Sequence, residues 1–316
     1  MDEQASPGLE TFLPTDRLRS RFGRLDPDFA AVWETHAARL LSRDQLDTRT
    51  RFLVLTSQYT VTERLGPLEE TLTAALAAGV AASELLEAIL QTYVYGGPWV
   101  VAAACEVYER VATGTGEFVT PAVRERPPRE LAAERPGWSA TDASDPRLEA
   151  LLERYGWRAI SNGLRLRPGH HINMLDTLDA LDPEFLQAWL DAVYEGMYGR
   201  GVLEDRTRLL CVVGATLALG ETHQSRRHMR AALRSGATPR EVLEVIFHTT
   251  AFFGHPYVMP AAFDDLLRIL DDEGRITELV KPERVEAVRR IVAARVARRG
   301  GVQDDLSGSA VPRPDG

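Results

Sequence analysis

The chain has 316 residues, 44% hydrophobic and 26% charged, which is enough for one large or two ordinary soluble domains with a sizeable core. A formal net charge of −9, with arginines interleaved among acids, leaves no basic stripe to neutralise phosphates and excludes nucleic acid as a partner. The start is acidic without an apolar core, and no apolar run approaches the roughly 20 residues of a membrane span, so a cytoplasmic protein without membrane contact is expected.

Residues 1–24 are polar, broken by Pro7, Gly8, Pro14 and Gly23, and read as a flexible arm. From Leu25 a helical pattern begins, with Asp26 as N-cap, Pro27 in the first turn, and Phe29, Val32, Trp33 and Leu40 at three- and four-residue spacing. A second start follows at Asp47, and further helices run from Pro67 to Ala78 and from Ser83 to about Tyr95. Gly96-Gly97-Pro98 ends the last of these, and Trp99 to Val111 forms one more helix. Residues 113–180 hold a proline-rich linker, a short helix and a loop bearing His170 and His171, which either lids a pocket or decorates the surface.

At Leu181 the pattern starts again. Leu181-Asp182-Pro183-Glu184-Phe185 repeats Leu25-Asp26-Pro27-Asp28-Phe29, and Trp189 repeats Trp33. Arg206-Thr207-Arg208 repeats Arg49-Thr50-Arg51 with an offset of 157, as Ala231-Ala232-Leu233 repeats Ala74-Ala75-Leu76. Landmarks kept in one order indicate an internal duplication, with repeats at 25–112 and 181–271. A C-terminal helix is expected over 272–300 and a disordered tail over 301–316. No alternating strand pattern of useful length occurs, so the fold is all-α.

The string GATLALGETHQSRRHMRAALRSGATPREVLEVIFHTTAFFGHP, behind Arg206-Thr207-Arg208, resembles the core of the carboxymuconolactone decarboxylase family, whose superfamily also holds the alkyl hydroperoxidase D-like proteins. The first repeat fits the same frame with fewer polar positions. The resemblance implies two tandem helical repeats of that fold, sites at interfaces between repeats or subunits, and a homo-oligomer, dimer or trimer. The hydroperoxidase branch carries Cys-x-x-Cys and a histidine three residues on; here the two cysteine positions are Glu221 and Gln224 ahead of His228, and in the first repeat Arg64 and Pro67 ahead of Thr71. Cys105 and Cys211 sit far apart in apolar patterns and read as core thiols, so thiol peroxidase chemistry is excluded.

Within one helix, Glu221, Gln224, Ser225 and His228 would share a stripe, a plausible acid/base set. Expected catalytic groups are therefore His228 as proton donor, Glu221 as its orienting partner, and an arginine or His248 as anion stabiliser. Gln224, Arg227, His255, Tyr257 and His171 are expected to bind substrate, and His223 faces away. Tyr93 and Tyr95 of the first repeat would supply at most a pocket wall. The histidines show no i, i+4 pair and no HExxH, which leaves a metal without a ligand set, although His228 can meet His248 or His255 in space. No Walker loop or GxGxxG is present, so no cofactor is expected. The function expected is a cofactor-independent lyase or isomerase acting on a small carboxylic acid, lactone or enone. The alternative is a non-catalytic binding or assembly module on the same helices.

Overall fold

The computed structural model describes residues 15–41, 43–116, 138, 140–167, 169, 171–254 and 258–307. Among the described residues every regular element is helical, and no helix is long and apolar enough to cross a membrane. The first part comprises α1 (Thr15–Leu25), α2 (Pro27–Leu41), α3 (Thr48–Val61), α4 (Leu65–Ala77), α5 (Ala82–Leu90) and α6 (Tyr93–Thr115). A middle part follows: α7 (Ala140–Ala143), α8 (Leu148–Tyr155), α9 (Trp157–Leu166) and α10 (His171–Leu181). Then come α11 (Pro183–Trp189), α12 (Asp205–Ala218), α13 (Thr222–Arg234), α14 (Pro239–Phe253), α15 (Val258–Asp272) and α16 (Val285–Ser307).

Local chemistry sets the helix starts. Asp47 accepts the backbone N–H of Thr50 at 2.8 Å, and Asp182 caps α11 with Pro183 in its first turn. Thr238 and Glu241 form a reciprocal capping box at the start of α14. Helices α3 and α12 cross at the centre, and every residue from Thr50 to Val61 and from Thr207 to Ala218 is buried. Gly214 permits that approach, because a Cβ there would lie 2.8 Å from a Val54 methyl. Helices α4, α5 and α6 pack on α3, α13 and α14 pack on α12, and α15 packs on α13 and α14.

Two buried arginines enter this core and must find partners there. Arg208 of α12 donates to Glu87 at 2.7 Å and to Gln91 at 3.4 Å, and Arg200 also donates to Glu87 at 2.8 Å. Arg51 of α3 meets His248 at 2.7 Å, and Arg43 donates to Glu244 at 2.8 Å. Each member of the first set has its counterpart 157 positions away in the second: Arg43 and Arg200, Arg51 and Arg208, Glu87 and Glu244, Gln91 and His248. The outer pairs follow the same rule, Arg49 with Glu84 and Arg206 with Glu241. Glu63, the one non-glycine at positive φ among the described residues, stands where the later stretch has Gly220.

Three segments differ from expectation. Residues 15–24, read as part of the arm, are helical within α1. The stretch around His171, read as a loop, forms α9 and α10, because Ile160, Leu164, Leu166, Ile172 and Leu175 are all buried against the core. The C-terminal helix begins at Val285, after two short turns at Ile276–Glu278 and Pro282–Arg284, and runs to Ser307. Most of the expected linker lies outside the described residues.

Candidate active site

Helix α13 carries His228. A tight turn at Gly220, φ +81°, separates it from α12, and Ser225 ties the two helices by donating to Thr216 Oγ1 at 2.8 Å. With Ser225 and Met229 buried beside it, His228 points inward and is 2% exposed. Its Nε2 lies 3.1 Å from the hydroxyl of Tyr95, which lies 2.8 Å from the hydroxyl of Tyr198. The Tyr95 ring also meets the imidazole edge-on, with centroids 5.9 Å apart.

Both tyrosines owe their positions to irregular helix. Tyr95 stands in the first turn of α6, set off by the kink at Gly97, whose φ of 75° and ψ of 179° break the helical path. Tyr198 closes the widened turn Leu190–Met197 that continues α11. Such wide turns shift the register of the side chains beyond them and recur at functional sites. Tyr194, in the same turn, packs on Tyr198 at 6.0 Å and takes the edge of His171 at 4.7 Å. Gly163 makes room for the His171 ring, since any Cβ there would overlap it.

Burial, and then the positive charges of Arg167 and Arg227, push the His228 pKa down to about 3. The imidazole is therefore neutral near pH 7. Its Nδ1 has no hydrogen-bond partner among the described residues. Burial raises the phenols of Tyr95 and Tyr198, and takes Tyr194 up to about 12, so all three remain protonated donors. The proton of the ring sits on Nδ1 if Tyr95 donates to Nε2, and on Nε2 if Tyr95 accepts.

At the rim, Arg167 follows the last turn of α9 and donates to Gln224 Oε1 at 3.1 Å. Gln224 precedes His228 by one turn of α13, and half-buried Arg227 is the residue next to it. Burial and the charge of Arg167 lower the pKa of Arg227.

The expected residues divide. Gln224, Arg227 and His228 come together, and His171 joins them through Tyr194. Glu221 is a correction: it is the exposed N-cap of α13, nearly two turns from His228, and Tyr95 holds the ring in its place. His248 is a second correction. It is fully buried on α14 against Arg51, and burial followed by that guanidinium holds its pKa well below the usual imidazole range. The ring accepts from that buried arginine, and no hydrogen bond joins it to His228 among the described residues. His255 and Tyr257 lie outside the described residues, and His223 is exposed.

Tyr194, Tyr198 and Arg167 were not foreseen, and Tyr95 only as a wall. Tyr194 and Tyr198 stand four residues apart, a helical stripe that was legible; Arg167 carries no local signal. Among the described residues no group of three or more His, Cys, Asp or Glu could hold a metal ion. Burial raises the Cys211 thiol to about 12 and also raises Cys105, so neither offers a thiolate near neutrality. A groove of about 520 Å³ between α15 and α16 includes none of the His228 group.

Residues 183–264 match the model of the carboxymuconolactone decarboxylase family. The chain is 30% identical over 87 residues to the 4-carboxymuconolactone decarboxylase of Acinetobacter baylyi, a match covering 27% of this chain and 65% of that protein. It is 34% identical over 86 residues to an uncharacterized 15.0 kDa protein of the nqo9-nqo10 intergenic region in Paracoccus denitrificans, covering 27% and 64%. The chain thus spans just under two thirds of the length of these relatives. The matched segment contains His228, Tyr198 and Arg227, whereas Tyr95, Arg167 and His171 come from outside it.

Proposed function

We propose that the chain, whose residues 183–264 match the carboxymuconolactone decarboxylase family model, is a cofactor-independent lyase or isomerase. Its substrate is a small carboxylic acid, lactone or enone, worked on through an enolate-like intermediate. The observation that carries this reading is the buried chain Tyr198–Tyr95–His228, with Nδ1 of the imidazole buried and without a hydrogen-bond partner among the described residues. The neutral ring makes His228 a base first and a donor second, which revises the expectation of a resident proton donor. Nδ1 takes a proton from a carbon next to the substrate carbonyl, and the C–H electron pair moves into the enolate. The resulting imidazolium is held by Tyr95 through Nε2, its Nδ1 proton exchanges with solvent, and it then delivers a proton to a different carbon, completing an isomerisation. In a decarboxylation, carbon–carbon cleavage leaves its electron pair in the enolate, and a proton must come from the substrate's own carboxylic acid or from solvent before carbon is reprotonated.

The reading treats the contacts spaced 157 positions apart as the mark of a duplicated helical unit. In it the second copy keeps the histidine. The position equivalent to His228 holds Thr71, buried and without a partner for its hydroxyl among the described residues, and the one equivalent to Tyr95 holds Phe252.

The test is exchange of substrate C–H for deuterium in heavy water, followed by NMR across small carboxylated lactones and enones. His228→Ala should lower exchange by about 10²–10⁴ and Tyr95→Phe by less. Full exchange in a folded His228→Ala protein would remove the histidine from the reaction. Saturable binding with no exchange or turnover would favour the non-catalytic module.

A further inference from the structure

We infer that Arg167 and Arg227 together form a carboxylate subsite beside His228, so that the substrate is an organic anion whose non-reacting carboxylate spans the two guanidiniums. The inference rests on the acid/base reading above and names the class of molecule that site takes.

Two guanidiniums come to one face of α13 here, since Arg167 reaches Gln224 and Arg227 lies three residues further on, and neither has a carboxylate partner among the described residues. Arg167 donates to Gln224 Oε1 at 3.1 Å and to Met174 Sδ at 3.4 Å, both neutral acceptors. The other arginines of α13 are paired: Arg226 with Asp265 at 3.9 Å and Arg230 with Asp272 at 3.1 Å, both on α15, and Arg234 with Glu273 just beyond it at 3.7 Å. Arg227, on the face turned toward α9, has no such pair. Two half-buried cations brought together without a counter-ion repel each other, and Arg167 lowers the pKa of Arg227 as that repulsion requires. A carboxylate laid across them removes the repulsion and gains charge-assisted hydrogen bonds.

The position next to His228 gives the anion a second effect. The groups facing His228 are Tyr95 from α6, Tyr198 from the wide turn, Arg167 from α9 and Arg227 from its own helix. On the α15 side Asp265 is engaged with Arg226, and on the α12 side the Ser225 hydroxyl is engaged with Thr216 and the Glu221 carbonyl. The two arginines are thus the charges that oppose a proton on the ring. A bound carboxylate offsets them, so an anionic substrate would make His228 more basic as it binds. A neutral lactone or enone would leave the base weak, which is a specificity device at the chemical step.

The experiment follows the ring resonance of His228 by NMR in the full chain while propionate is added, with chloride and inorganic phosphate at matched ionic strength. Propionate should shift the resonance saturably and raise the apparent pKa of His228. Arg167→Gln and Arg227→Gln should each weaken propionate binding on the order of ten- to a hundredfold, and Arg226→Gln should leave it unchanged. The same response to chloride, tighter binding of phosphate than of propionate, or equal weakening by Arg226→Gln would each overturn the subsite. Should a glutamine variant fail to fold, the wild-type comparison of propionate with chloride still decides. Propionate binding as described, together with unimpaired deuterium exchange in His228→Ala, would sink the catalytic reading and keep the subsite.

Discussion

The guanidinium of Arg51 lies 2.7 Å from Nε2 of His248, although 197 positions separate them, and the contact is closed to solvent. It is the counterpart of Arg208 on Gln91 at 3.4 Å, where an amide oxygen accepts the bond instead. An acceptor for a buried arginine is what the position requires, and glutamine already supplies one in the other half of the core.

His248→Gln should therefore cost no more than about 1 kcal/mol and leave turnover unchanged. His248→Leu removes one acceptor of Arg51, whose other bonds go to the carbonyls of Arg43 and Leu46, and should cost about 1–3 kcal/mol. Urea unfolding compares the two. A collapse of turnover in a stable His248→Gln protein would return His248 to the catalytic group.

Acid should destabilise the fold through His228. Its folded pKa is about 3, below the ordinary 6.5, so between those values the unfolded chain binds a proton that the folded chain does not. Stability on this account is complete above pH ~6.5, is lost as pH falls from there toward ~3, and changes no further below it. The slope is at most about 1.4 kcal/mol per pH unit. His248, also depressed, adds a loss of the same sign. Unfolding free energies at pH 7 and pH 4.5 should accordingly fall less in His228→Gln than in the wild type. Identical falls would show that the ring is not held neutral.

Glu87 receives Arg208 and Arg200 in the interior, whereas Glu69 meets Arg110 at 3.4 Å on the surface. Glu87→Ala leaves Arg208 buried and unpaired and should cost about 3–5 kcal/mol. Glu69→Ala should cost less than about 1 kcal/mol. Denaturant midpoints of the two variants check the ranking, and equal losses would contradict it.

The helices were legible because their signals are local. Asp26-Pro27, Asp182-Pro183 and Thr238-Pro239 announce starts, and apolar residues recur at helical spacing behind them. His228 was legible for another reason: the surrounding frame resembles a known family. Its neighbours were not. Tyr95 lies 133 positions away and Arg167 reaches α13 from the end of α9, and packing between distant segments decides both contacts. His248 misled because a histidine near a helix end looks the same in sequence whether it faces a ligand or an arginine. Glu221 misled because the shared stripe assumed it lay within the helix, and as N-cap it stands outside the first turn.

The reciprocal arrangement of Arg51 and Arg208 has a consequence for how this chain can be divided. Each arginine enters the core from one central helix and is answered by side chains from the opposite half of the sequence. A fragment carrying α3 without α14 would bring Arg51 inside with no His248 to meet it, and a fragment carrying α12 without α5 would do the same to Arg208. Neither half is electrically complete by itself. The dependence of each half on the other is written into the buried interior rather than into an outer surface.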